Sequence, residues 1–386
     1  MHPSFVRQYH ASRLFHALLA QPGLTMRRLG DVTGCDRSTV SVILKRFEGI
    51  GLVERVAGET SGKRGRPSEI FRISKSSGLL IGVHLEFEVM VIVVAGLDGE
   101  RFGRLELPLP SRPADFAGDL RQGIMTICEA HGRSVNEVRG VGISLPGLVG
   151  PSGGLAQSSN LSWYEVAVPD MLRSAIGAPV YVDNDTNAAT LAESLFGACS
   201  HLSEFVMIAG GLGLGGGIFV DGSLYRGSGG YGGEFGHIKV VRDGRTCGCG
   251  ASGCLSAYVA APALIARARQ AASVQSVDEI IALADAGHDE VRRVLAEAGR
   301  FLGLAMADLI NIFNPPAIVL GGIVARIWPY AEAEARHAMR ENAMQSAHAM
   351  VDVIVSTLSL QPMPAGGVAL ALEGFTSLDG QEPSPW

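Results

Sequence analysis

One histidine and three cysteines stand at a spacing that suits a metal ion. His237 is followed by nine residues and then by Cys247-Gly248-Cys249-Gly250-Ala251-Ser252-Gly253-Cys254. One imidazole and three thiolates satisfy tetrahedral Zn2+, and the interleaved glycines let the chain wrap closely around it. Such a cluster, in a chain with no secretory signal in view, reads as a metal site before it reads as disulfides. Protein groups fill all four positions of His237, Cys247, Cys249 and Cys254, which leaves none for water. The expected role is structural, contributing on the order of 10 kcal/mol to folding. Cys35, Cys128 and Cys199 are scattered and read as small buried residues.

The elements that must hold this site belong to a long, glycine-rich chain. Its 386 residues can form two or three domains; 47% are hydrophobic, 18% are charged and 50 are glycines. That composition is globular rather than disordered. Met1 to Arg13 shows no apolar segment behind a basic start, and runs such as Val89 to Leu97 are too short to span a bilayer. A soluble cytoplasmic protein with no membrane partner is expected. The charge is unevenly spread: of 32 basic and 38 acidic residues, positions 1–72 hold twelve and six, leaving 20 and 32 for the rest. A basic head on an acidic body predicts that the head alone meets a polyanion.

In that head, Leu14, Phe15, Leu18 and Leu19 recur at helical spacing, and Pro22-Gly23 ends the run. Thr25 can cap a second helix with Leu29 and Val32 on its inner face. After a turn through Gly34, Asp36 can cap a third helix, with Val40, Ile43, Leu44 and Phe47 inward. Arg37, Ser38, Thr39, Ser41, Lys45 and Arg46 then face outward. This is the pattern of a helix-turn-helix whose third helix enters a major groove, with Lys45 and Arg46 on phosphates. Leu52 to Ala57 and Glu69 to Ile73 alternate as strands around a basic tip with Lys63, Arg64 and Arg66. Together they read as a winged helix, with arginines suited to a narrow minor groove.

Beyond residue 78 the pattern becomes α/β. Leu79 to Val83 and Val89 to Leu97 read as adjacent strands closed by an Asp98-Gly99 turn. Later strands run into glycine-rich loops at Gly140–Gly147, Gly210–Gly217 and Gly321-Gly322, alternating with helices such as Ala261 to Ala271 and Val291 to Ile312. Two sheet-based lobes with a ligand cleft are expected.

The zinc motif, the loop Pro146-Gly147, the segment Ser159-Asn160-Leu161-Ser162-Trp163, the run Val182-Asp183-Asn184-Asp185 and Glu234-Phe235-Gly236-His237 resemble, in order, the ROK family (repressors, open reading frames and sugar kinases). The winged head matches its repressor branch. The resemblance implies a two-lobed actin-like (ribonuclease H-like) fold. It places the winged helix in residues 1–73 and the first lobe in 74–187, completed by a C-terminal helix at about 364–380, with the second lobe in 188–363. It also implies a sugar site made by Gly147, Ser159, Asn160, Asn184, Asp185, Glu234, His237 and Ser256. Asp185 corresponds to the general base of the kinases. His237 can hold zinc through one nitrogen and present the other to the sugar.

Departures from the kinase pattern decide what the site is for. Where the kinases carry an Asp-x-Gly-Gly-Thr phosphate loop, this chain has His84-Leu85-Glu86-Phe87-Glu88, whose carboxylates would repel a triphosphate. The second loop, Gly211-Leu212-Gly213-Leu214-Gly215, has Leu212 where the kinases usually have threonine. Ser256 stands where the family usually has a glutamate on the sugar; a shorter, neutral hydroxyl there puts glucose in doubt and leaves open a different or bulkier sugar, a modified or phosphorylated one, or weaker binding. The expectation is a non-enzymatic, sugar-responsive repressor, a homodimer or homotetramer on a palindromic DNA operator. An ATP-dependent sugar kinase with a DNA-binding head is the alternative, and a constitutive DNA-binding protein is a third reading.

Overall fold

The computed structural model describes residues 3–57, 69–86, 88–361, 364–377 and 386. The chain divides into two compact units. One comprises Met1–Gly147, Ser152–Asp183 and Met363–Trp386, the other Leu148–Pro151 and Asn184–Pro362.

The head opens with α1 (Pro3–Ala20), which buries Leu14, Phe15 and Leu18. β1 (Leu24–Thr25) leads into α2 (Met26–Thr33), where the Thr25 hydroxyl accepts from the Arg28 N–H at 3.2 Å. Gly34 ends α2 at φ 67°, a left-handed position that glycine takes without strain. Val32, expected inward, is 48% exposed. Leu29 and Thr33, four residues apart, occupy the inner face instead, and the Thr33 hydroxyl donates to the Leu29 carbonyl at 2.6 Å, so its polar atom is satisfied there. α3 (Arg37–Gly49) begins at its Asp36 cap and buries Val40, Ile43, Leu44 and Phe47. β2 (Val53–Ala57) and β3 (Glu69–Ile73) pair antiparallel, and β1 joins them in the order β1-β3-β2. The basic tip with Lys63, Arg64 and Arg66 lies outside the described residues.

The rest of the first unit is a five-stranded sheet. β4 (Leu79–Glu86), β5 (Val89–Gly96) and β6 (Arg101–Pro108) form an antiparallel meander, and the Asp98-Gly99 turn joins β5 to β6. α4 (Pro113–Ala130) crosses to β7 (Val138–Leu145), parallel to β4. β8 (Leu148–Val149) lies in the short stretch assigned to the second unit; beyond it the hairpin of β9 (Leu155–Ser158) and β10 (Trp163–Val166) leads through α5 (Val168–Ile176) to β11 (Val180–Asn184). The order is β11-β7-β4-β5-β6. The central strands are apolar on both faces because both are covered.

The second unit starts at α6 (Asp185–Phe196) and repeats that strand order. β12 (Phe205–Gly210), β13 (Leu214–Val220) and β14 (Ser223–Leu224) form the antiparallel half. α7 (Ser256–Val259), α8 (Ala261–Ala268), α9 (Val277–Asp285) and α10 (Asp289–Phe313) follow, then β15 (Ala317–Leu320), parallel to β12. α11 (Gly322–Asn342), α12 (Gln345–His348) and β16 (Asp352–Val355) complete the order β14-β13-β12-β15-β16. α10 and α11 pack closely because Gly299 and Gly303 lie against the backbone at Ala331 and Ala335.

The chain then returns to the first unit as α13 (Gly366–Thr376), laid across β4 and β7. Strand glycines Gly82 and Gly142 make this possible. A methyl on Gly142 would lie 2.6 Å from the Ala371 nitrogen and 2.9 Å from the Leu370 Cβ. Gly142→Ala is therefore expected to lower stability by about 3 kcal/mol, read as a lower urea midpoint. An unchanged midpoint would count against this packing. The end of α13 meets the head. Thr376 Oγ1 donates to the Leu372 carbonyl at 2.9 Å and sits 3.2 Å from His16 Nε2, which must then be the donor. Burial pushes the His16 pKa down, which favours the neutral ring. Phe15, Phe47, Phe375 and Trp386 form one aromatic cluster, with Trp386 centred 5.6 Å from both Phe15 and Phe47. Among the described residues no helix is long and apolar enough to cross a membrane.

Candidate metal centre and ligand-contacting residues

His237 ends a short 3-10 turn (Phe235–His237), and the three cysteines sit on the loop that precedes α7. The loop closes on itself: the Cys247 N–H donates to the Ala251 carbonyl at 2.8 Å and the Gly253 N–H to Arg245 at 2.9 Å. Gly253 has φ 78°, and a side chain there would strike the Val241 carbonyl, so the glycine spacing is a steric requirement. One ligand atom from each of His237, Cys247, Cys249 and Cys254 lies within 4.8 Å of every other. Cys249 Sγ and Cys254 Sγ are 3.8 Å apart, as are Cys247 Sγ and His237 Nδ1. Zinc–sulfur bonds of about 2.3 Å in a tetrahedron require sulfur–sulfur edges of about 3.8 Å, so this donor set fits the ion. A hydrogen bond from the Ala251 N–H is the main influence holding the Cys249 thiol below its ordinary pKa, which favours the thiolate that a metal needs.

The groups around this cluster were not legible from spacing. Lys239 Nζ donates to Cys254 Sγ at 2.8 Å, placing a cation where three thiolates around Zn2+ would leave one negative charge. Arg245 stacks on the Tyr258 ring at 4.6 Å and gives its N–H to the Tyr258 hydroxyl at 2.8 Å; its guanidinium lies 3.7 Å from Glu297 of α10. The loop is thereby fastened to the core helix. A basic residue two positions after the ligand histidine is the one sequence signal that could have pointed to Lys239.

In the same unit, Asp185 is the first residue of α6 and Asn184 its cap. Asn184 Oδ1 accepts from the N–H groups of Thr186 at 2.8 Å and Asn187 at 3.3 Å, which caps the first turn of α6. α6 lies close on β13 because Thr186 and Thr190 fill the space that side chains at Gly215 and Gly217 would take. Gly216 likewise admits the Phe235 ring, which brings Glu234 and His237 to the same strand. Burial first, then the Asp185 charge, pushes the Glu234 pKa up, so the two carboxylates share one field. Glu234 Oε2 is 3.7 Å from His237 Nε2, while His237 Nδ1 faces Cys247. Burial, and then Lys239, lowers the His237 pKa, leaving a neutral ring that can face a metal and a hydrogen-bonding ligand at once. The Ser256 hydroxyl turns back to the Gly236 carbonyl at 2.9 Å, bracing the turn.

The other candidate residues belong to the first unit. Gly147 follows β7 at φ 140°, where a side chain would strike Ser158 and the Gln157 carbonyl. Ser159 and Asn160 lie in the β9–β10 turn, and Ser159 Oγ accepts from Gln157 Nε2 at 3.3 Å. Where β4 and β7 run side by side, Ser144 Oγ gives its hydrogen to the Val83 carbonyl, and His84 Nδ1 lies 3.0 Å from the Ser144 hydroxyl oxygen. His84 Nε2 stands 3.4 Å from Glu86, whose pKa the imidazole lowers, so a charged carboxylate holds this place. In the second glycine loop the Gly211 N–H donates to the Gly213 carbonyl at 2.9 Å, and Leu212 is 50% exposed at the tip. A side chain at Gly210 would strike the Gly213 carbonyl, so this glycine is a steric requirement of the turn, whereas Gly211 and Gly213 face open space.

On the head, Arg37, Ser38, Lys45 and Arg46 are exposed on α3, with Thr39 and Ser41 half-buried. The hydroxyls of both Ser38 and Thr39 donate to the Asp36 carboxylate, Thr39 at 2.7 Å. These bonds hold the Asp36 carboxyl well below the usual range.

Comparison with known proteins agrees with both parts of the chain. Residues 80–373 match the ROK family and residues 8–64 the MarR family. The xylose repressor of Bacillus spizizenii is 24% identical over 380 residues, covering 97% of this chain and 98% of that protein. A glucokinase of Streptomyces coelicolor is 30% identical over 264 residues, covering 64% of this chain and 82% of the enzyme. The crystal structure of a ROK family transcriptional regulator, a homologue of the E. coli MLC protein, superposes with a TM-score of 0.83 at 25% identity, covering 96% of this chain and 97% of that one. The repressor and the regulator extend over the winged head, whereas the glucokinase match covers a smaller share of the chain. This protein belongs to the ROK family and carries a MarR-type winged helix ahead of its ROK domain.

Proposed function

We propose that the chain is a sugar-responsive transcriptional repressor that binds an operator through α3 and its wing. The observation that carries this reading is the fusion of a winged helix to a ROK body whose phosphate-loop position holds His84 bonded to Ser144 beside the charged Glu86. A carboxylate at that position opposes a triphosphate, so the body senses a sugar rather than phosphorylating it. His237, Cys247, Cys249 and Cys254 hold a structural Zn2+, which fixes the turn bearing Glu234. Asn184, Asp185, Glu234 and His237 receive the sugar hydroxyls, with Ser256 shaping the turn behind them; in the first unit, Gly147, Ser159 and Asn160 are the residues proposed for sugar contact. Four relatives are named xylose repressors or putative xylose repressors, which makes xylose the first sugar to try.

On DNA, Arg37, Ser41, Lys45 and Arg46 face the major groove and its phosphates, Ser38 and Thr39 act as acceptors, and Lys63, Arg64 and Arg66 belong to the wing. A homodimer or homotetramer places such heads on a palindrome. Sugar shifts the equilibrium only through different affinities for the two states of the protein. α13, which rests on β4 and β7 and ends in the aromatic cluster beneath α1 and α3, is the route by which the body reaches the head.

The direct test is operator binding by zinc-loaded protein to the DNA upstream of its own gene, titrated with xylose and a panel of other sugars and sugar phosphates. Release by one sugar, without ATP consumption in a coupled assay, is the expected result. Sugar-dependent ATP turnover would return the kinase reading, and tight binding that no sugar alters would favour constitutive repression.

A further inference from the structure

The outward face of α3 is polar except at its centre. Ser38, Val42 and Lys45 follow one another at i, i+4 and i+7, opposite the buried Val40, Ile43, Leu44 and Phe47. Val42 is 62% exposed. A β-branched side chain on the surface of a helix is a poorer helix former than alanine, and nothing of the helix's own stability calls for it here. Neighbouring hydroxyls cannot donate to a base while they are engaged, because Ser38 Oγ and Thr39 Oγ1 both give their hydrogens to Asp36. The Asp36 carboxylate is held by those same bonds and stays at the helix N-terminus, so no phosphate is drawn there. What the middle of the helix offers a groove is therefore two methyl groups, flanked by Ser41 and by the cations of Lys45 and Arg46.

The major groove presents one apolar group, the C5-methyl of thymine. From this match we propose that Val42 packs on thymine methyls and is a specificity-determining residue of the operator contact. The inference rests on the DNA-binding reading above, and it assigns to this side chain a part of the recognition that hydrogen bonding does not supply. The basic flank selects a nucleic acid over an apolar protein partner.

The test uses the full-length protein and the duplex it enriches most strongly from a randomised DNA pool. Each thymine of that duplex is replaced singly by deoxyuridine, which removes the methyl and leaves every hydrogen-bonding atom in place. Wild-type protein is expected to lose about fourfold or more in affinity at one or two positions per half-site, the worth of one buried methyl. Val42→Ala should bind the thymine duplex more weakly by a similar factor and be nearly indifferent to uracil at those positions. Its circular dichroism melt should match or slightly exceed the parent's, since Val42 is exposed and alanine is the better helix former. Equal uracil penalties in both proteins, or none in the wild type, would overturn the assignment while leaving operator binding intact. Failure to enrich any duplex would overturn the DNA-binding reading and this inference with it.

Discussion

Removing the metal with a chelator is expected to lower the melting temperature of the protein by about 10 °C or more, and Cys254→Ser should do the same without chelator. The magnitude follows from the size of structural zinc sites, on the order of 10 kcal/mol in isolated peptides, and from the few degrees that each kcal/mol moves a domain of this size. Cys254 is the informative ligand. Its thiol is buried, it takes the Lys239 ammonium at 2.8 Å, and its backbone bridges to Lys239 across the loop. Without the metal, two buried thiols and an uncompensated cation remain in a loop fastened to the core through Tyr258, Arg245 and Glu297. The disturbance should therefore spread into α10 rather than stay at the surface. Cys35→Ser, at a cysteine away from the cluster, supplies the control. Metal analysis gives the second readout: about one zinc per chain in the wild type, much less in Cys254→Ser. A melting temperature indifferent to chelator, with no zinc in the purified protein, would remove the metal from the account. Loss of the metal should also abolish the sugar response, because His237 carries both the ligand nitrogen and the atom nearest Glu234.

How far the residues announce this arrangement differs from part to part. The helix caps at Thr25 and Asp36, the inward stripe of α3 and the metal spacing are local properties, and local chemistry decides them. Val32 faces outward because Leu29 pairs at i+4 with Thr33 rather than at i+3 with Val32, and a threonine whose hydroxyl bonds its own backbone can take an inward position. The glycine loop Gly211–Gly215 reads from sequence as a phosphate loop, yet Gly215, with Gly216 and Gly217 beyond it, serves close packing of α6 and of Phe235 on β13. Nothing local distinguishes those two uses. The aromatic cluster joins residues 15, 47, 375 and 386, and the Lys239–Cys254 contact depends on a loop closure. Contacts so far apart along the chain, or so dependent on a fold, leave no periodic trace.

Asp185→Asn should raise the sugar concentration needed for operator release by roughly 30- to 150-fold, the loss of a charge-assisted hydrogen bond worth about 2–3 kcal/mol. Operator affinity without sugar should stay within about twofold of the parent. The substitution keeps an oxygen that can accept from the Thr186 N–H, as Asp185 Oδ1 now does at 2.8 Å, so α6 retains its first turn. It also relieves Glu234 of the nearby negative charge, the second of the two causes that hold its pKa up. That relief favours the folded protein at pH values where Glu234 is ionised, so stability should not fall. A normal induction curve would refute the ligand role of Asp185, and loss of operator binding together with the response would make it a structural residue instead. The raised Glu234 pKa sets the pH dependence of the wild type. A sugar hydroxyl donates to the ionised carboxylate, so affinity should be full above the Glu234 pKa and fall as the pH drops through it, at a pH above the ordinary value of 4.5. Glu234→Gln should bind sugar weakly at every pH and lose that inflection. A wild-type affinity that stays flat across the same range would show that Glu234 does not touch the ligand.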